Sequence, residues 1–391
     1  MNVPKIRFKE FSDEWCETTL GETTTFKQGI QVDVDKQFSK PFDNSVRFIR
    51  IVDYTQNTKD IRYISKPANA NYVDEHDVVL VRYGATAGFV GHGIKGVIAN
   101  NMFTVTPNSS INKDFLYTIL KQDKIYNKLN SSNGSSAMPA LNFGSVSILK
   151  FSYPSIDEQN KLTNLINLLD KKIELQTKKI EDLKLFKKGL DKIIFSNQSL
   201  FDEDTIKNRF YSDGGTALEE YISNSGTHRI ISIGNYSTTG TYIDNGQKII
   251  LNDKTKTKLL NKDNLVMILN DKTTTGDIIG SSILIEEDNK YIYNQRSQRL
   301  ICKNINPKYA WCYLNNNNFR KHVFKLAQGG TQIYVNFSTI ENQIILIPKN
   351  EQIENMIINS IIGIKDKTDK ETVKLNKLIE LKKGLMQCMF V

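Results

Sequence analysis

Cysteine and histidine, which are common zinc ligands, are scarce in this sequence of 391 residues, which has four of each. The cysteines are Cys16, Cys302, Cys312 and Cys388. They form no C-x-x-C pair, and the histidines stand at no zinc-ligand spacing from them. The cysteines therefore indicate packing residues of a reducing compartment, and we expect no metal site.

Long apolar segments are also missing. No run of about 18 apolar residues is present, which argues against a membrane-spanning helix. The segment Met1–Phe8 lacks the apolar stretch of a signal peptide. We therefore expect a cytoplasmic protein without a membrane partner. Hydrophobic residues make up 39% of the chain, enough for folded cores, and the length favours two globular domains.

Catalytic motifs are nearly absent. There is no phosphate-binding G-x-x-x-x-G-K-[ST] loop, and nothing resembles the Asn/Asp-Pro-Pro-aromatic loop with which amino-methylating enzymes hold a flipped base. One G-x-G-x-x-G occurs at Gly91, Gly93 and Gly96, but the next residues continue as a strand, which predicts a glycine-rich hairpin. Asp33 and Asp35 could hold a cation, although such a pair in a polar loop is usually solvated. Because these catalytic motifs are missing, the sequence favours a binding protein over an enzyme.

The charge of the chain indicates what it binds. Its formal net charge is +9 at pH 7. A basic excess favours a polyanionic partner, most often nucleic acid.

The strongest positive signal is an internal repeat. The sequence Phe-Lys-Lys-Gly-Leu at 186–190 is matched by Leu-Lys-Lys-Gly-Leu at 381–385, an offset of 195 residues. Further pairs at an offset of 194 are Asn100 with Asn294, Asn112 with Asn306, and Asn142 with Asn336. Matches in one order over this length indicate two copies of one module followed by one segment.

The segment after each module predicts a long helix. Apolar residues recur at steps of three and four and form a seam along each helix. The seam residues are Leu162, Ile166, Leu169, Ile173, Ile180, Leu183 and Leu190 in the first copy, and Ile357, Ile361, Ile364, Leu375, Leu378 and Leu385 in the second. Polar residues interrupt both seams at matching positions, Gln176 with Glu371 and Lys187 with Lys382.

Two arrangements of these helices are possible. Each helix could pack on its own module, or the two could pair as a coiled coil, parallel or antiparallel. The common register favours the coiled coil.

The modules predict mixed helix and sheet. We expect an α+β protein with two similar α/β domains at 1–155 and 197–348, separated by helices at 156–196 and 349–391. The expected elements include strands at Val97–Val105 and Tyr291–Cys302 and helices at Phe115–Leu129 and Tyr309–Leu326. Two related modules and a rigid spacer suit double-stranded DNA, which can be read at two places along one axis.

With these features, the chain resembles the specificity subunit of type I restriction–modification systems. The start of the chain is similar to the family's entry into its first target-recognition domain. The residues that carry this similarity are Pro4, Phe8, Trp15, Leu20 and Gly21. Pro154 with Glu158-Gln159 resembles the start of the central conserved region, and the two Lys-Lys-Gly-Leu segments resemble the ends of both conserved regions. The second module departs from the pattern, because it lacks a tryptophan matching Trp15 and because 196–218 matches poorly. The start of that module is therefore open.

The resemblance implies a fold, a role and partners. Two target-recognition domains would each read half of a bipartite asymmetric DNA site. The helices would form an antiparallel coiled coil that sets the spacing and docks two methyltransferase subunits, and two ATP-dependent endonuclease (translocase) subunits would join the complex. The partners would use S-adenosylmethionine, ATP and magnesium to methylate adenine N6 or to cleave DNA. This chain would bind no cofactor and would not be an enzyme.

DNA-contacting residues are expected on two loops of each module: the loop after the long strand and the glycine-containing loop after the helix. The nominated residues are Tyr83, Thr86, Ser135 and Ser136 in the first module, and Lys272, Thr273, Thr274, Thr331 and Gln332 in the second. Arg296 and Arg299 could reach phosphates or guanines. The alternatives are a stand-alone nuclease or methyltransferase, which would turn over without partners, and a coiled-coil adaptor that binds protein only.

Overall fold

The computed structural model describes residues 2–56, 58–131 and 140–391, with the backbone alone for 130 and 131. It divides into two compact units. The first unit contains Met1–Leu175 and Leu375–Val391, and the second contains Gln176–Lys374.

The first unit combines short strands with short helices. Its strands are β1 (Cys16–Thr19), β2 (Thr24–Gln28), β3 (Ser45–Ile49), β4 (Arg62–Ser65), β5 (Tyr72–Val73), β6 (Val78–Val81), β7 (Val90–Gly91), β8 (Gly96–Ile98), β9 (Met102–Pro107) and β10 (Lys150–Tyr153). Its helices are α1 (Leu20–Thr23), α2 (Ile51–Thr55), α3 (Lys113–Leu120), α4 (Asp123–Ser131), α5 (Phe143–Ser147) and the first half of α6 (Ile156–Ser196). Two four-stranded sheets have the orders β2-β9-β6-β7 and β4-β3-β8-β5, and β1 pairs with β10.

The second unit repeats this plan. Its strands are β11 (Phe201–Thr205), β12 (Phe210–Gly214), β13 (His228–Ile231), β14 (Lys248–Ile249), β15 (Leu265–Ile268), β16 (Asn270–Asp271), β17 (Ser282–Leu284), β18 (Tyr291–Tyr293), β19 (Ser297–Cys302), β20 (Ile333–Tyr334) and β21 (Ile344–Pro348). Its helices are the second half of α6, α7 (Ile206–Arg209), α8 (Asp253–Lys256), α9 (Pro307–Leu314), α10 (Asn317–Lys325), α11 (Phe337–Ile340) and most of α12 (Glu351–Cys388). The sheet β12-β19-β15-β17 corresponds to β2-β9-β6-β7, and the parallel pair β13/β18 corresponds to β3/β8.

The beginning of the second module, left open by the sequence, follows the same plan as the first. The order β11-α7-β12 matches β1-α1-β2, and β11 pairs with β21 as β1 pairs with β10. In the first unit Trp15 packs edge-on against Phe390 with ring centroids 6.3 Å apart. In the second, Phe201 stacks on Phe195 at 5.9 Å. Phe201 therefore packs in the second unit as Trp15 packs in the first. Because the two residue types differ, the match could not be seen in the sequence.

Two of the three repeated asparagine pairs begin helices. Asn112 precedes α3 and its side chain accepts hydrogen bonds from the backbone N–H of Asp114 and Phe115. Asn306 does the same before α9, where it accepts from Lys308 N–H. An asparagine at this position satisfies a backbone donor that the helix itself leaves unpaired. Their recurrence therefore has a local structural cause.

Both long predicted helices are present: α6 has 41 residues and α12 has 38. In the first unit, Leu162 and Ile166 lie in one core cluster with Met389 and Phe390. In the second unit, Ile194 lies in a cluster with Ile357, while Gln176 contacts Glu371. In the first unit Lys382 also pairs with Asp170. In each unit, residue numbers therefore rise along one helix as they fall along the other. The helices thus form an antiparallel coiled coil, as predicted.

Other sequence predictions of secondary structure were too coarse. The strand predicted at Val97–Val105 is two strands, β8 and β9, in different sheets, and Tyr291–Cys302 likewise divides into β18 and β19. A turn interrupts each run, and in the second it contains Arg296 with φ +67°. The helices predicted at Phe115–Leu129 and Tyr309–Leu326 are each divided in two, with breaks between α3 and α4 and between α9 and α10.

The glycine-rich hairpin is wrong as well. The strands on its two sides, β7 and β8, belong to different sheets, so the glycines join sheets instead of forming a hairpin. The predicted domain boundaries at 155, 196 and 348 stay a prediction. The two compact units meet at other positions, which lie within the two long helices. In the part of the chain that the structure describes, no helix is long and apolar enough to cross a membrane.

Candidate nucleic-acid interface

In the first unit, the loop after β6 lies beside the chain that follows residues 132–139. Tyr83 forms an antiparallel bridge with Ala140, and the N–H of Leu141 donates to the carbonyl of Arg82 at 2.9 Å. Tyr83 is 38% exposed, whereas Thr86 is half-buried and its carbonyl accepts from Phe89 N–H. The nominated Ser135 and Ser136 lie outside the described residues.

Arg82, which sequence reasoning missed, organises this surface. Its Nε donates to the carbonyl of Leu141 at 3.1 Å, and its Nη1 donates to Oε1 of Gln28 at 2.8 Å. The guanidinium also lies over the rings of Tyr83 and Phe143, at 4.9 and 5.2 Å from their centroids. Arg82 thus holds Tyr83 and Gln28 in place and remains partly exposed.

Side-chain amides extend the same surface. Gln28 Nε2 donates to the carbonyl of Asn100 at 2.7 Å, and Asn100 Nδ2 donates to Oε1 of Gln31 at 3.0 Å. Both glutamines are exposed. Asn100 was visible in the sequence as one of the repeated asparagines, but the glutamines lie about 70 residues earlier and no pattern connects them. Only the fold brings these amides to Arg82.

In the second unit, the two nominated loops are neighbours. β16 pairs with β20 so that Asp271 lies opposite Ile333. The loop that starts at Lys272 therefore leaves this ladder beside Gln332. Five nominated side chains are exposed there: Lys272, Thr273, Thr274, Thr331 and Gln332.

Asp271 fixes the shape of the loop that starts at Lys272. Its carboxylate accepts hydrogen bonds from the N–H of Thr273 at 2.9 Å and of Ile278 at 3.0 Å. Partial burial would raise the pKa of Asp271, but these hydrogen bonds lower it overall. Gly276 has φ +66°, and an added Cβ would stand 2.3 Å from the ring of Phe324. The loop is thus built on a charged carboxylate and an obligatory glycine.

Arg320, on α10, holds the end of this loop. Its Nε donates to the carbonyl of Ile279 at 2.7 Å and its Nη2 to that of Asp277 at 2.8 Å. Burial lowers the pKa of Arg320 to about 10. This arginine is therefore used for internal support.

The two arginines nominated near β19 have different environments. Arg296 is exposed at the turn before β19, while its carbonyl accepts from Leu269 N–H at 2.8 Å. Arg299 is half-buried, and its Nη2 lies 3.1 Å from Oδ2 of Asp213, which also pairs with Lys258 at 2.9 Å. Arg296 is available to a ligand, whereas Arg299 already has an anionic partner.

The predicted seam residues lie on the inner faces of the long helices. Leu162, Ile166, Leu169, Ile180, Ile357 and Ile361 are buried. The others are half-buried: Ile173, Leu183, Leu190, Ile364, Leu375, Leu378 and Leu385. The mid-seam polar pair makes a specific contact, with Gln176 Nε2 donating to Glu371 Oε2 at 2.7 Å and Lys179 Nζ lying 2.9 Å from Glu371 Oε1. The hydrogen bond from Gln176 and the charge of Lys179 lower the pKa of Glu371 to about 2.

The two surfaces carry chemistry suited to DNA. Arginine pairs with guanine O6 and N7, asparagine and glutamine pair with adenine, and lysine and threonine contact phosphates. The first surface has Arg82 with the amides of Gln28, Gln31 and Asn100, whereas the second has Lys272, threonines and Gln332, with Arg296 exposed at the turn before β19. Matching backbone hydrogen bonds, Arg82 N–H to Asn101 and Leu269 N–H to Arg296, place Leu269 where the first unit has Arg82. The frame is shared and the exposed side chains differ.

Comparison with known proteins shows what the chain is similar to. Residues 12–185 match the family described as type I restriction modification DNA specificity domain. The specificity subunit of the type I restriction enzyme MjaVIII of Methanocaldococcus jannaschii is 25% identical over 412 residues, covering 97% of this chain and 94% of that protein.

Solved structures share the fold. The S subunit of a type I restriction–modification system from M. genitalium has a TM-score of 0.67 at 14% identity, covering 100% of this chain and 99% of that one. A chain from a structure on assembly and conformational transition of the type I R-M system has a TM-score of 0.55 at 11% identity, covering 95% and 96%. Residues 12–185 thus match a type I restriction modification DNA specificity domain. Over nearly its whole length the chain is similar to a type I specificity subunit, which confirms the resemblance seen in the sequence.

Proposed function

We propose that this protein selects the DNA sequence on which a type I restriction–modification complex acts, with each module reading one half of a bipartite asymmetric site. The observation that carries this proposal is the duplicated paired-loop surface, built on one frame and carrying different exposed side chains in the two modules. One reader that was duplicated and then diverged at its contact residues would recognise two different half-sites.

A methylome experiment tests this function. The chain is expressed with its methyltransferase and endonuclease partners, and N6-methyladenine is mapped across the genome. We expect a two-part motif with a fixed gap. Arg82→Lys should relax one half of the motif by about 1–3 kcal/mol per base pair, because the lysine keeps the charge and loses the two-pronged contact. Lys188→Ala, on an exposed helix face, is the control. A change in both halves would contradict the assignment of one module to one half-site.

The second surface gives a different expectation. Lys272 is an exposed cation on a loop without an arginine, which suits a phosphate contact. Lys272→Ala should weaken DNA binding by the assembled complex about equally on all sequences and lower the salt slope by about one. A change in base preference would instead assign Lys272 to base reading.

We also propose that the chain has no catalysis of its own. The purified chain, incubated with DNA and magnesium or with S-adenosylmethionine, should neither cleave nor methylate. Turnover without partners would favour the enzyme alternative. Unchanged partner binding without any DNA footprint would favour the protein-only adaptor.

The long helices are proposed to set the gap between half-sites and to dock two methyltransferase subunits. Each unit has a groove between its module and a long helix, which supports two docking sites. The first groove, about 540 Å³, is lined by Tyr117, Asn167, Asp170 and Lys383, and the second, about 580 Å³, by Trp311, Ile362, Lys365 and Tyr291. Tyr117 and Trp311 occupy matching positions in α3 and α9.

Native mass spectrometry tests the docking. Lys383→Glu reverses a charge in the first groove only, so we expect the complex to retain one methyltransferase instead of two. Lys377→Glu, an exposed position on the same helix outside the groove, should retain both. Retention of both copies by Lys383→Glu would place the docking surface elsewhere.

A further inference from the structure

Three elements of the first unit bring two imidazoles and a carboxylate together. His76 precedes β6, His92 follows β7, and Asp114 lies in the first turn of α3. Oδ1 of Asp114 lies 3.1 Å from Nδ1 of His76 and 3.2 Å from Nε2 of His92. All three atoms lie within 4.8 Å of one another.

These separations fit a small divalent cation. Zinc binds histidine nitrogen and carboxylate oxygen at about 2.0–2.2 Å, so two ligands of one tetrahedral ion lie about 3.3 Å apart. The two distances to Asp114 are close to this value. The third edge, between the two histidine nitrogens, is no longer than 4.8 Å. The His76 side chain is 68% exposed and has room to turn so that this edge shortens. Two histidines and a carboxylate leave a fourth position for water.

The surroundings orient the ligands. The ring of His92 stacks on Tyr117 with centroids 4.3 Å apart and planes at 19°. Burial lowers the pKa of His92, which favours the neutral imidazole that a metal requires. The hydrogen bond with Asp114 raises the pKa of His76, so protons compete there with a cation.

The nearby charges favour a cation. Asp74 and Glu75 raise the pKa of His76 through their charges. Lys113 is engaged by Asp77 Oδ1 at 2.7 Å and Asp74 Oδ2 at 3.3 Å, and Lys121 Nζ lies over the ring of Tyr117, 5.1 Å from its centroid. The acids, which are Asp74, Glu75, Asp77 and Asp114, outnumber these two lysines, so the local field attracts positive charge.

We propose that His76, His92 and Asp114 bind a divalent transition-metal ion, with zinc as the best fit. The ion would join the turn before β6, the turn after β7 and the start of α3. The site stands at the beginning of β6, and the candidate DNA loop at Tyr83 follows its end, about 13 Å away at ~3.3 Å per residue. The ion would therefore stabilise the fold of the module without contacting DNA. Cysteine–histidine spacing could not indicate this site, because its ligands come from separate elements that only the fold assembles.

Calorimetric titration with zinc chloride, after chelator treatment of the full-length chain, tests the proposal independently of DNA. We expect one zinc per chain and a higher unfolding temperature when zinc is present. His76→Gln should weaken binding at least about tenfold. Because His76 is exposed, this variant should keep the wild-type circular dichroism spectrum. Asp114→Asn should weaken binding similarly.

His228→Gln is the control for adventitious binding, since His228 belongs to the second unit. It should bind zinc as the wild type does. Affinity should also fall on acidification, because protons on His76 and His92 exclude the ion. Absence of saturable binding, equal binding by His76→Gln, or an equal loss in His228→Gln would overturn the proposal.

Discussion

Replacing Phe195 by alanine should destabilise the second unit strongly. The side chain is 8% exposed, and its ring centroid lies 5.9 Å from that of Phe201 and 5.6 Å from that of Tyr313. Truncating a buried phenylalanine costs about 3–5 kcal/mol, because both the transfer free energy and the packing are lost. At a urea dependence of about 2 kcal/mol/M, the unfolding midpoint should fall by roughly 1.5–2.5 M.

The same helix provides the matched control. Phe186 is 62% exposed, so Phe186→Ala should change the free energy of unfolding by no more than about 0.5 kcal/mol. Urea unfolding is followed by tryptophan fluorescence, which is informative because Trp311 belongs to the same core cluster as Phe195. Equal shifts in the two variants, or a loss below about 1 kcal/mol for Phe195→Ala, would refute the packing argument.

Three further predictions concern the helices and their attachment. Because the pKa of Glu371 is lowered to about 2 from its usual 4.5, its stabilising contribution is complete above pH 4.5 and is lost as pH falls through 2. Glu371→Gln should be less stable at pH 7 and show a shallower acid transition by circular dichroism, and an unchanged transition would contradict this. Four-residue insertions beside Gln176 and Glu371 lengthen each helix by about 6 Å. The methylome should then show an altered gap or no recognition, with unchanged half-sites, and changed half-sites would defeat the spacer proposal. Arg7 pairs through two nitrogens with fully buried Glu158, at 2.8 and 2.7 Å, so Arg7→Ala should cost about 3–5 kcal/mol in urea unfolding and exposed Lys9→Ala almost nothing.

The duplicated fold could be predicted because its signals are local. An asparagine that begins a helix acts within three residues of itself, so Asn112 and Asn306 remain recognisable in both copies. The helix seams follow a period that any window along the chain shows. Both kinds of signal depend on neighbours in sequence, and both appear in the structure.

The division of strands could not be predicted, because it depends on partners distant in sequence. The run from Val97 to Val105 is apolar on both sides of its turn, and both parts have high strand propensity. Phe48 pairs with Val97 in one sheet, whereas Phe26 pairs with Val105 in another. No pattern within the run indicates that it changes sheets.

The candidate interface could be predicted only at the level of its loops. The turns after β6 and β15 are marked by small residues and glycines, so their positions followed from the sequence. The loop supports were hidden, because Arg82 contacts Gln28, 54 residues away, and Arg320 contacts Ile279, 41 residues away. Arg299 was nominated as a DNA contact because the sequence does not show its partner Asp213, which lies 86 residues earlier.

The antiparallel helices have a consequence for the order in which the protein can fold. The first unit is discontinuous and takes its last residues from Leu375–Val391, where Met389 and Phe390 pack with Trp15. During synthesis, the module that is made first must therefore wait for Leu375–Val391 before its core is complete. The second unit is continuous in sequence and has no such delay. A premature stop near residue 375 would accordingly damage the earlier module and leave the later one whole.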